Sequence, residues 1–312
     1  MPARTATSSR SDVSARSRVL QAGPPGEPRR VAWLYLLPGF LVYAAFALYP
    51  LLKAVWISFF EWDGLTVGTW VGLANYADVL GDERLRASFV HALVLMAFFA
   101  LFPLAIGLVL AAILQRAQVR GLGFFRTVVF LPQVIAMVVI AVAWRRIYSP
   151  DGGLNSLLSA VGLDDLSRGW LGDYTFALPA VGVIGTWFET GLVTVLLLAG
   201  MSRIPKELYE AARLDGAGPI REFFAITLPA VKAEISTALV LTIIAALKTF
   251  DLVYMTTSGG PGTATTVPSY EVYNRAFNLK QVGSASAVAI VLTVLVFVIN
   301  VVVSRIGERD SK

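Results

Sequence analysis

Long apolar runs separated by short polar connectors occupy most of this chain. A membrane-crossing helix needs about 20 mostly apolar residues. Six runs meet that length, at approximately 32–59, 88–115, 124–147, 175–201, 231–257 and 284–306. The longer ones can tilt or project beyond the bilayer. Residues 1–31 differ: they are rich in Ser, Arg, Pro and Gly, lack an apolar period, and read as a disordered tail. The first run is too long for a signal-peptide core, and no convincing cleavage site follows it, so it is expected to stay as a helix. The pattern predicts an all-α integral membrane protein. It has a tail, 1–31, and one six-span domain, 32–312, whose later five spans form the body with the first packed around them.

One connector, 205–229, is itself patterned. Pro205 sits where a helix can start, because proline costs nothing at the first helical position. Lys206 to Leu214 are good helix formers, with Glu207 and Glu210 near the positive N-terminal end. Ala211 and Ala212 are small enough for a partner surface to approach closely. Gly216 supplies a turn that few other residues tolerate. Pro219 can open a second short helix through Ile220, Phe223, Phe224 and Ile226, and Pro229 precedes the next apolar run. The expectation is a helix–turn–helix at the membrane surface with one small or apolar face. The plainer alternative is an ordinary amphipathic connector lying in the interface.

Composition sharpens this picture. The chain has 312 residues, 56% hydrophobic and 15% charged, with a mean hydropathy of +0.68, outside the range of a typical soluble domain. Having no cysteine, it forms no disulfide or thiolate metal site, and the single histidine, His91, cannot make a histidine cluster. The formal net charge is +5, but its placement says more. With the N-terminus inside, seventeen Lys and Arg residues fall in inner segments and seven in outer loops. The positive-inside rule then puts both termini and the 205–229 connector in the cytoplasm. Arg145 and Arg146 run against that count, and can snorkel at the end of the third run.

Catalytic signatures are missing. There is no G-x-x-x-x-G-K-[ST] phosphate loop, no H-E-x-x-H and no G-x-S-x-G. Gly259-Gly260-Pro261-Gly262 reads as a tight turn beyond the fifth run. The chain is expected to be no enzyme, with no catalytic residue, no metal site and no bound cofactor; no nucleic-acid partner is expected either.

The connector resembles a known element. Glu210-Ala211-Ala212-Arg213-Leu214-Asp215-Gly216, then nine residues, then Ile226-Thr227-Leu228-Pro229, is similar to the EAA loop of ABC importer membrane subunits, E-A-A-x₃-G-x₉-I-x-L-P. Other stretches resemble carbohydrate-type importer permeases, the group that includes maltose and glycerol-3-phosphate uptake subunits. They include Leu37-Pro38, Tyr49-Pro50, Phe130-Leu131-Pro132, Pro150-Asp151-Gly152-Gly153, Phe250-Asp251 with Gly259-Gly260-Pro261, and Gly283-Ser284-Ala285. The likeness runs from about residue 33 to the end, in the compact six-span form without the large outer domain of the larger maltose permease. It implies a type I permease fold with a cytoplasmic coupling helix. Glu210, Ala211, Ala212, Asp215, Gly216, Ile226, Leu228 and Pro229 would then meet an ATPase. It also implies a multi-pass protein of a bacterial inner membrane with several partners: a second permease subunit in a heterodimer, two ATPase subunits holding ATP and Mg, and an extracytoplasmic solute-binding protein.

Polar groups within the runs are candidates for the solute path, since a charge at mid-bilayer costs about 2.5–3.5 kcal/mol on insertion scales. Glu189 lies near the middle of the fourth run beside Trp187, a carboxylate for sugar hydroxyls next to a ring for stacking; a structural bond to a neighbouring helix weighs as much. Lys248 and Asp251, three apart, fall on one helical face where they can pair. Asp251 with Phe250 and Tyr254 is the better solute candidate. Gln133 and Asn300 are weaker, as single amides often serve packing. Trp144 and His91 read as interfacial. A proton- or sodium-coupled carrier is the competing function, but it calls for inverted repeats and a broken-helix ion site. A membrane-embedded hydrolase lacks its nucleophile.

Overall fold

The computed structural model describes residues 29–116 and 122–309. The expected disordered tail lies outside the described residues except for its last three positions, which are already helical. The chain divides into two compact units, one ending at Lys53 and the other beginning at Ala54. The first holds α1 (Arg29–Tyr43), a π turn at Ala44–Leu48, and the start of α2 (Tyr49–Ile57). Tyr35–Ile57 is 23 residues long and apolar enough to cross a bilayer.

The second unit opens with a two-residue ribbon. Strand β1 (Phe60–Glu61) pairs antiparallel with β2 (Thr69–Trp70). Asp63 closes this ribbon: its Oδ1 accepts from the amides of Leu65 and Thr66 and from the Thr66 hydroxyl, at 2.7–2.8 Å. Helix α3 (Ala74–Gly81) follows. Then α4 (Glu83–Met96), a π turn and α5 (Phe102–Arg116) form one apolar rod over Glu83–Gln115, which starts five residues before the expected run.

Two of the six runs are not single straight helices. The third is α6 (Leu122–Phe130), a 3₁₀ turn at Leu131–Val134, and α7 (Met137–Ile147), bent by 97°. Ile135 and Ala136 are extended at that joint, where Pro132 has no amide to continue the helical ladder. The fifth begins in α11 (Pro219–Glu222), a π turn and α12 (Leu228–Ala230), then turns by 69° at Val231 into α13 (Lys232–Leu247). It stops again at Lys248, and a separate α14 (Asp251–Thr256) follows. Ser269 Oγ donates to the Thr249 carbonyl inside that gap, satisfying a group the helix leaves open. Among the described residues, four straight apolar helices and these two bent pairs give up to six spans.

The body is built around α9 (Ala177–Met201), which packs against α5, α6, α13 and the α4–α5 rod. Glycines make that closeness possible. A Cβ at Gly185 would collide with the Phe99 ring, and one at Gly191 with the Val129 carbonyl. Small residues let membrane helices approach and gain dispersion contact, because lipid leaves no hydrophobic drive between them. Phe99, Val181, Ile184, Leu252 and Val253 form the core around the N-terminal half of α9, and Ala111, Val193, Leu197 and Met201 the core around its C-terminal half. The remaining α-helices are α8 (Gly153–Ala160), α10 (Lys206–Leu214), α15 (Pro268–Tyr273), continued by a π turn at Asn274–Asn278, and the long α16 (Val282–Arg309).

Candidate functional site

The 205–229 connector has the predicted form. Pro205 precedes α10 in an extended conformation, and Lys206, not the proline, is its first helical residue. The helix ends because Gly216 turns left-handed, φ +78°, with the Ala217 amide reaching back to the Ala212 carbonyl at 2.8 Å and the Gly216 amide to Arg213 at 3.0 Å. Gly218 and Pro219 then open α11. Two side-chain bonds brace the pair of helices from behind. Arg213 Nε donates to Glu222, only 3% exposed, at 3.0 Å, and the Tyr209 hydroxyl lies 2.9 Å from the Thr227 hydroxyl.

That bracing leaves one face of the connector open. No residue of α10 is buried. Glu210, Ala211, Asp215, Gly216 and Pro229 are exposed, while Ala212, Ile226 and Leu228 are half-buried. The apolar face expected of the connector is open: Leu214 is 90% exposed and Ile220 76%, with Leu208 and Phe224 also open.

The solute-path candidates fall into two places. Glu189 is 4% exposed on α9, and the Gln133 amide reaches its carboxyl and the Phe188 carbonyl, the latter at 2.8 Å. Gln133 sits in the 3₁₀ turn between α6 and α7, so this contact fastens the bend to α9. Trp187 does not share that surface. Two residues along a helix are about 200° apart, and Trp187 is half-exposed, its ring edge-on to Trp144 at 5.7 Å. Glu189 and a stacking ring are therefore not side by side as expected.

Phe250, Asp251 and Tyr254 do come together, at the start of α14. Phe250 stacks on Tyr254 with centroids 5.2 Å apart, and both rings meet Tyr273, at 5.3 and 5.2 Å. Phe277 extends the cluster. The Tyr254 hydroxyl, bonded to Tyr273, pushes the Tyr273 hydroxyl above its ordinary range. Asp251 is exposed beside these rings. The expected Lys248–Asp251 pair is absent: the break at 248–250 separates them, and no ion pair joins them. His91 lies well inside the α4–α5 rod and contacts the Thr266 carbonyl through Nδ1 at 2.9 Å. Asn300 donates to the Val296 carbonyl one turn back in α16. Gly259-Gly260-Pro261-Gly262 forms the expected turn, with left-handed Gly259 and Gly262. Among the described residues, no three His, Cys, Asp or Glu side chains converge as a metal site.

A bundle of apolar helices around α9, with a braced polar helix–turn–helix projecting from it, defines a permease subunit of the ABC importer class, with the type I fold. The chain belongs to the family described as binding-protein-dependent transport system inner membrane component, whose model matches residues 104–309, from α5 through the connector to α16. It is 39% identical over 273 residues to the probable ABC transporter permease protein YurN of Bacillus subtilis, covering 86% of this chain and 93% of that one. It is 33% identical to the diacetylchitobiose uptake system permease protein NgcF of Streptomyces coelicolor, covering 87% and 82%. A crystal structure of a bacterial ABC transporter that imports the acidic polysaccharide alginate has the same fold, with a TM-score of 0.79 at 24% identity over 90% of this chain and 96% of that one.

Proposed function

We propose that this chain is one membrane subunit of an ATP-driven importer for a sugar, oligosaccharide or related polyol, and forms half of the translocation path. A second permease subunit completes the path as a heterodimer. Two ATPase subunits, which hold ATP and Mg, drive it, and an extracytoplasmic solute-binding protein delivers the solute. Both termini and the connector lie in the cytoplasm. The observation that carries this reading is the open face of α10 and α11. Exposed Glu210, Ala211, Leu214 and Ile220 stand on either side of a left-handed Gly216 in the chain, while Arg213–Glu222 and Tyr209–Thr227 tie the two helices together. Small and apolar side chains beside one carboxylate suit a cleft on a partner protein. When ATP closes the ATPase dimer, a rigid connector transmits the motion to α9 and α13, and the subunits rock between inward- and outward-facing states.

The sugar class draws support from the diacetylchitobiose relative and from the aromatic cluster at Phe250, Tyr254 and Tyr273, whose faces suit pyranose C–H groups beside the Asp251 carboxylate. The test is uptake in cells together with co-purification of the ATPase subunit. Gly216→Val should abolish both, with the chain still in the membrane. Glu210→Ala should weaken both more mildly. Full uptake and full ATPase association in Gly216→Val would remove the connector from the coupling role. Uptake that stops when ion gradients are dissipated but persists when ATP is depleted would favour an ion-coupled carrier.

A further inference from the structure

The β1–β2 hairpin ends in a stiff, exposed tip. Asp63 Oδ1 holds the Leu65 and Thr66 amides, and Trp62 Nε1 donates to the Thr66 carbonyl at 2.7 Å. The Trp62 carbonyl accepts from the Gly283 amide at 3.2 Å, which ties the hairpin to the first turn of α16. On this fixed turn Leu65 is 80% exposed and Val67 93%. Beside the tip lies a cleft of about 560 Å³, between the hairpin, α3 and the start of α16. Glu61, Asp63 and Asp78 line it, against Arg275 and Lys280. Arg275 is already taken up by Asp82 at 2.8 Å and stands 3.7 Å from Glu271. Among the described residues, the side chains of Glu61, Asp78 and Lys280 have neither a hydrogen-bond nor an ion-pair partner. All three are exposed, so the cleft is open, and its uncommitted charge is mainly negative.

We propose that the hairpin tip and this cleft together dock the extracytoplasmic solute-binding protein. Leu65 and Val67 enter an apolar depression on its surface, and one of its lysine or arginine side chains lies between Glu61 and Asp78. The proposal rests on the importer reading and on the placement of this end outside the cytoplasm. Charge selects a water-borne protein over the other occupants. An apolar pair flanked by carboxylates does not enter hydrocarbon, where an unpaired charge is costly. A second copy of the chain meeting the same face would set carboxylate against carboxylate. The tip is held before any partner arrives, so docking freezes little further backbone. Its two apolar side chains cover a small area, which suits a contact that forms and breaks at each delivery. The carboxylates add speed and selectivity to the encounter more than affinity.

In cells that take up solute, the full chain carries the photocrosslinker benzoylphenylalanine at Val67, and the adduct is identified by mass spectrometry. It should be an exported protein of the solute-binding fold, cross-linked next to a basic residue. Leu65→Ser should lower the adduct about tenfold, the loss of one leucine buried at an interface. Hydrogen exchange at the amides of residues 65 and 66 should stay slow in that variant, which shows the turn intact. Glu61→Gln and Asp78→Asn should each lower the adduct up to about fivefold, the worth of an exposed ion pair. Glu61→Lys should lower it further, and replacing the cross-linked basic residue of the binding protein by Glu should restore it. Glu83→Gln, an exposed carboxylate at the same end but outside the cleft, should change nothing. An adduct with lipid, with the second permease subunit or with another copy of this chain overturns the proposal. So does equal loss in Glu83→Gln, which would mean a general field, or no adduct while uptake runs. Uptake should fall in the double variant Leu65→Ser with Glu61→Gln at unchanged ATPase association; unaffected uptake also overturns the proposal. Each of these failures leaves the importer reading standing, since Gly216→Val tests that at the connector. Uptake that persists in membrane vesicles washed free of exported proteins would instead remove the binding protein, and the importer reading with it.

Discussion

At the scale of single residues, conformation and space separate cleanly at Gly216. Nothing lies within 4 Å of where its Cβ would be, so a side chain there meets no neighbour. The cost of substitution is the left-handed backbone, φ +78°, and amounts to about 1–2 kcal/mol for an ordinary L-residue. Asn enters that region more readily than a β-branched residue. Gly216→Asn should therefore keep most uptake where Gly216→Val loses it; equal loss in both would mean that bulk, not backbone, is limiting. Asp63 gives a pH-dependent counterpart outside the membrane-spanning helices. Amide bonds from Thr66 and Leu65 and the Thr66 hydroxyl hold its carboxyl down, from the ordinary 3.8 to about 2. A depressed folded value means that the ionised turn is fully held above pH 3.8 and released as pH falls through about 2. Hydrogen exchange at the Leu65 and Thr66 amides should stay slow near the upper limit and accelerate toward the lower one, beyond the intrinsic change. In Asp63→Ala it should be fast throughout.

Between elements, long-range polar contacts fasten what hydropathy only outlines. Asp82 caps α4 by accepting from the Arg84 amide, and its other oxygen receives Arg275 at 2.8 Å. Glu271 on α15, 1% exposed, receives Arg84 at 2.8 Å, and Arg275 also donates to Ser284 at the start of α16. Three elements meet in this network. Arg84 is about half-exposed, but Arg275, 13% exposed, also lies 3.7 Å from Glu271, so the loss in Glu271→Ala should be at least that of a charge-assisted hydrogen bond, about 1.5–3 kcal/mol. Thermal unfolding in detergent should show a clear drop for Glu271→Ala and a smaller one for Glu271→Gln; an unchanged midpoint would make the network incidental. No local pattern announces this network, because Arg84 and Glu271 stand 187 residues apart. The helix breaks were hidden for a related reason. Leu131-Pro132-Gln133-Val134 and Lys248-Thr249-Phe250 are too short to interrupt a run counted by apolar length. What ends the second helix is a partner at Ser269, and what seats the first against α9 is the room left by Gly191.

For the molecule as a whole, the apolar runs were legible, since bilayer thickness fixes their length; among the described residues four straight helices meet it, and up to six spans if each bent pair counts as one. The connector was legible too, because its punctuation is local: proline before each short helix and glycine between them. The proximity of the solute-path candidates was legible only in part. Phe250, Asp251 and Tyr254 meet as expected, but Glu189 is enclosed with Gln133 while Trp187 faces away. Asp251→Asn should accordingly weaken uptake while leaving assembly intact, and Glu189→Gln should act first on thermal stability; the reverse pattern would return Glu189 to the path. Orientation rests on charge placement alone, and a chain without cysteine permits a clean test of it. Val67, 93% exposed in the β1–β2 loop, and Thr263, exposed in the turn after α14, lie with the ribbon, α3 and α15 at one end of the helices. Gly218 lies in the connector at the other end, with no atom within 4 Å of a new side chain. The excess of Lys and Arg on the connector side predicts that end to be cytoplasmic. Single cysteines at Val67 and Thr263 should react with a membrane-impermeant thiol reagent in intact cells, and one at Gly218 only after the membrane is opened. The opposite result would invert the protein, move the open face of α10 away from any cytoplasmic ATPase, and leave the coupling reading without a partner it can reach.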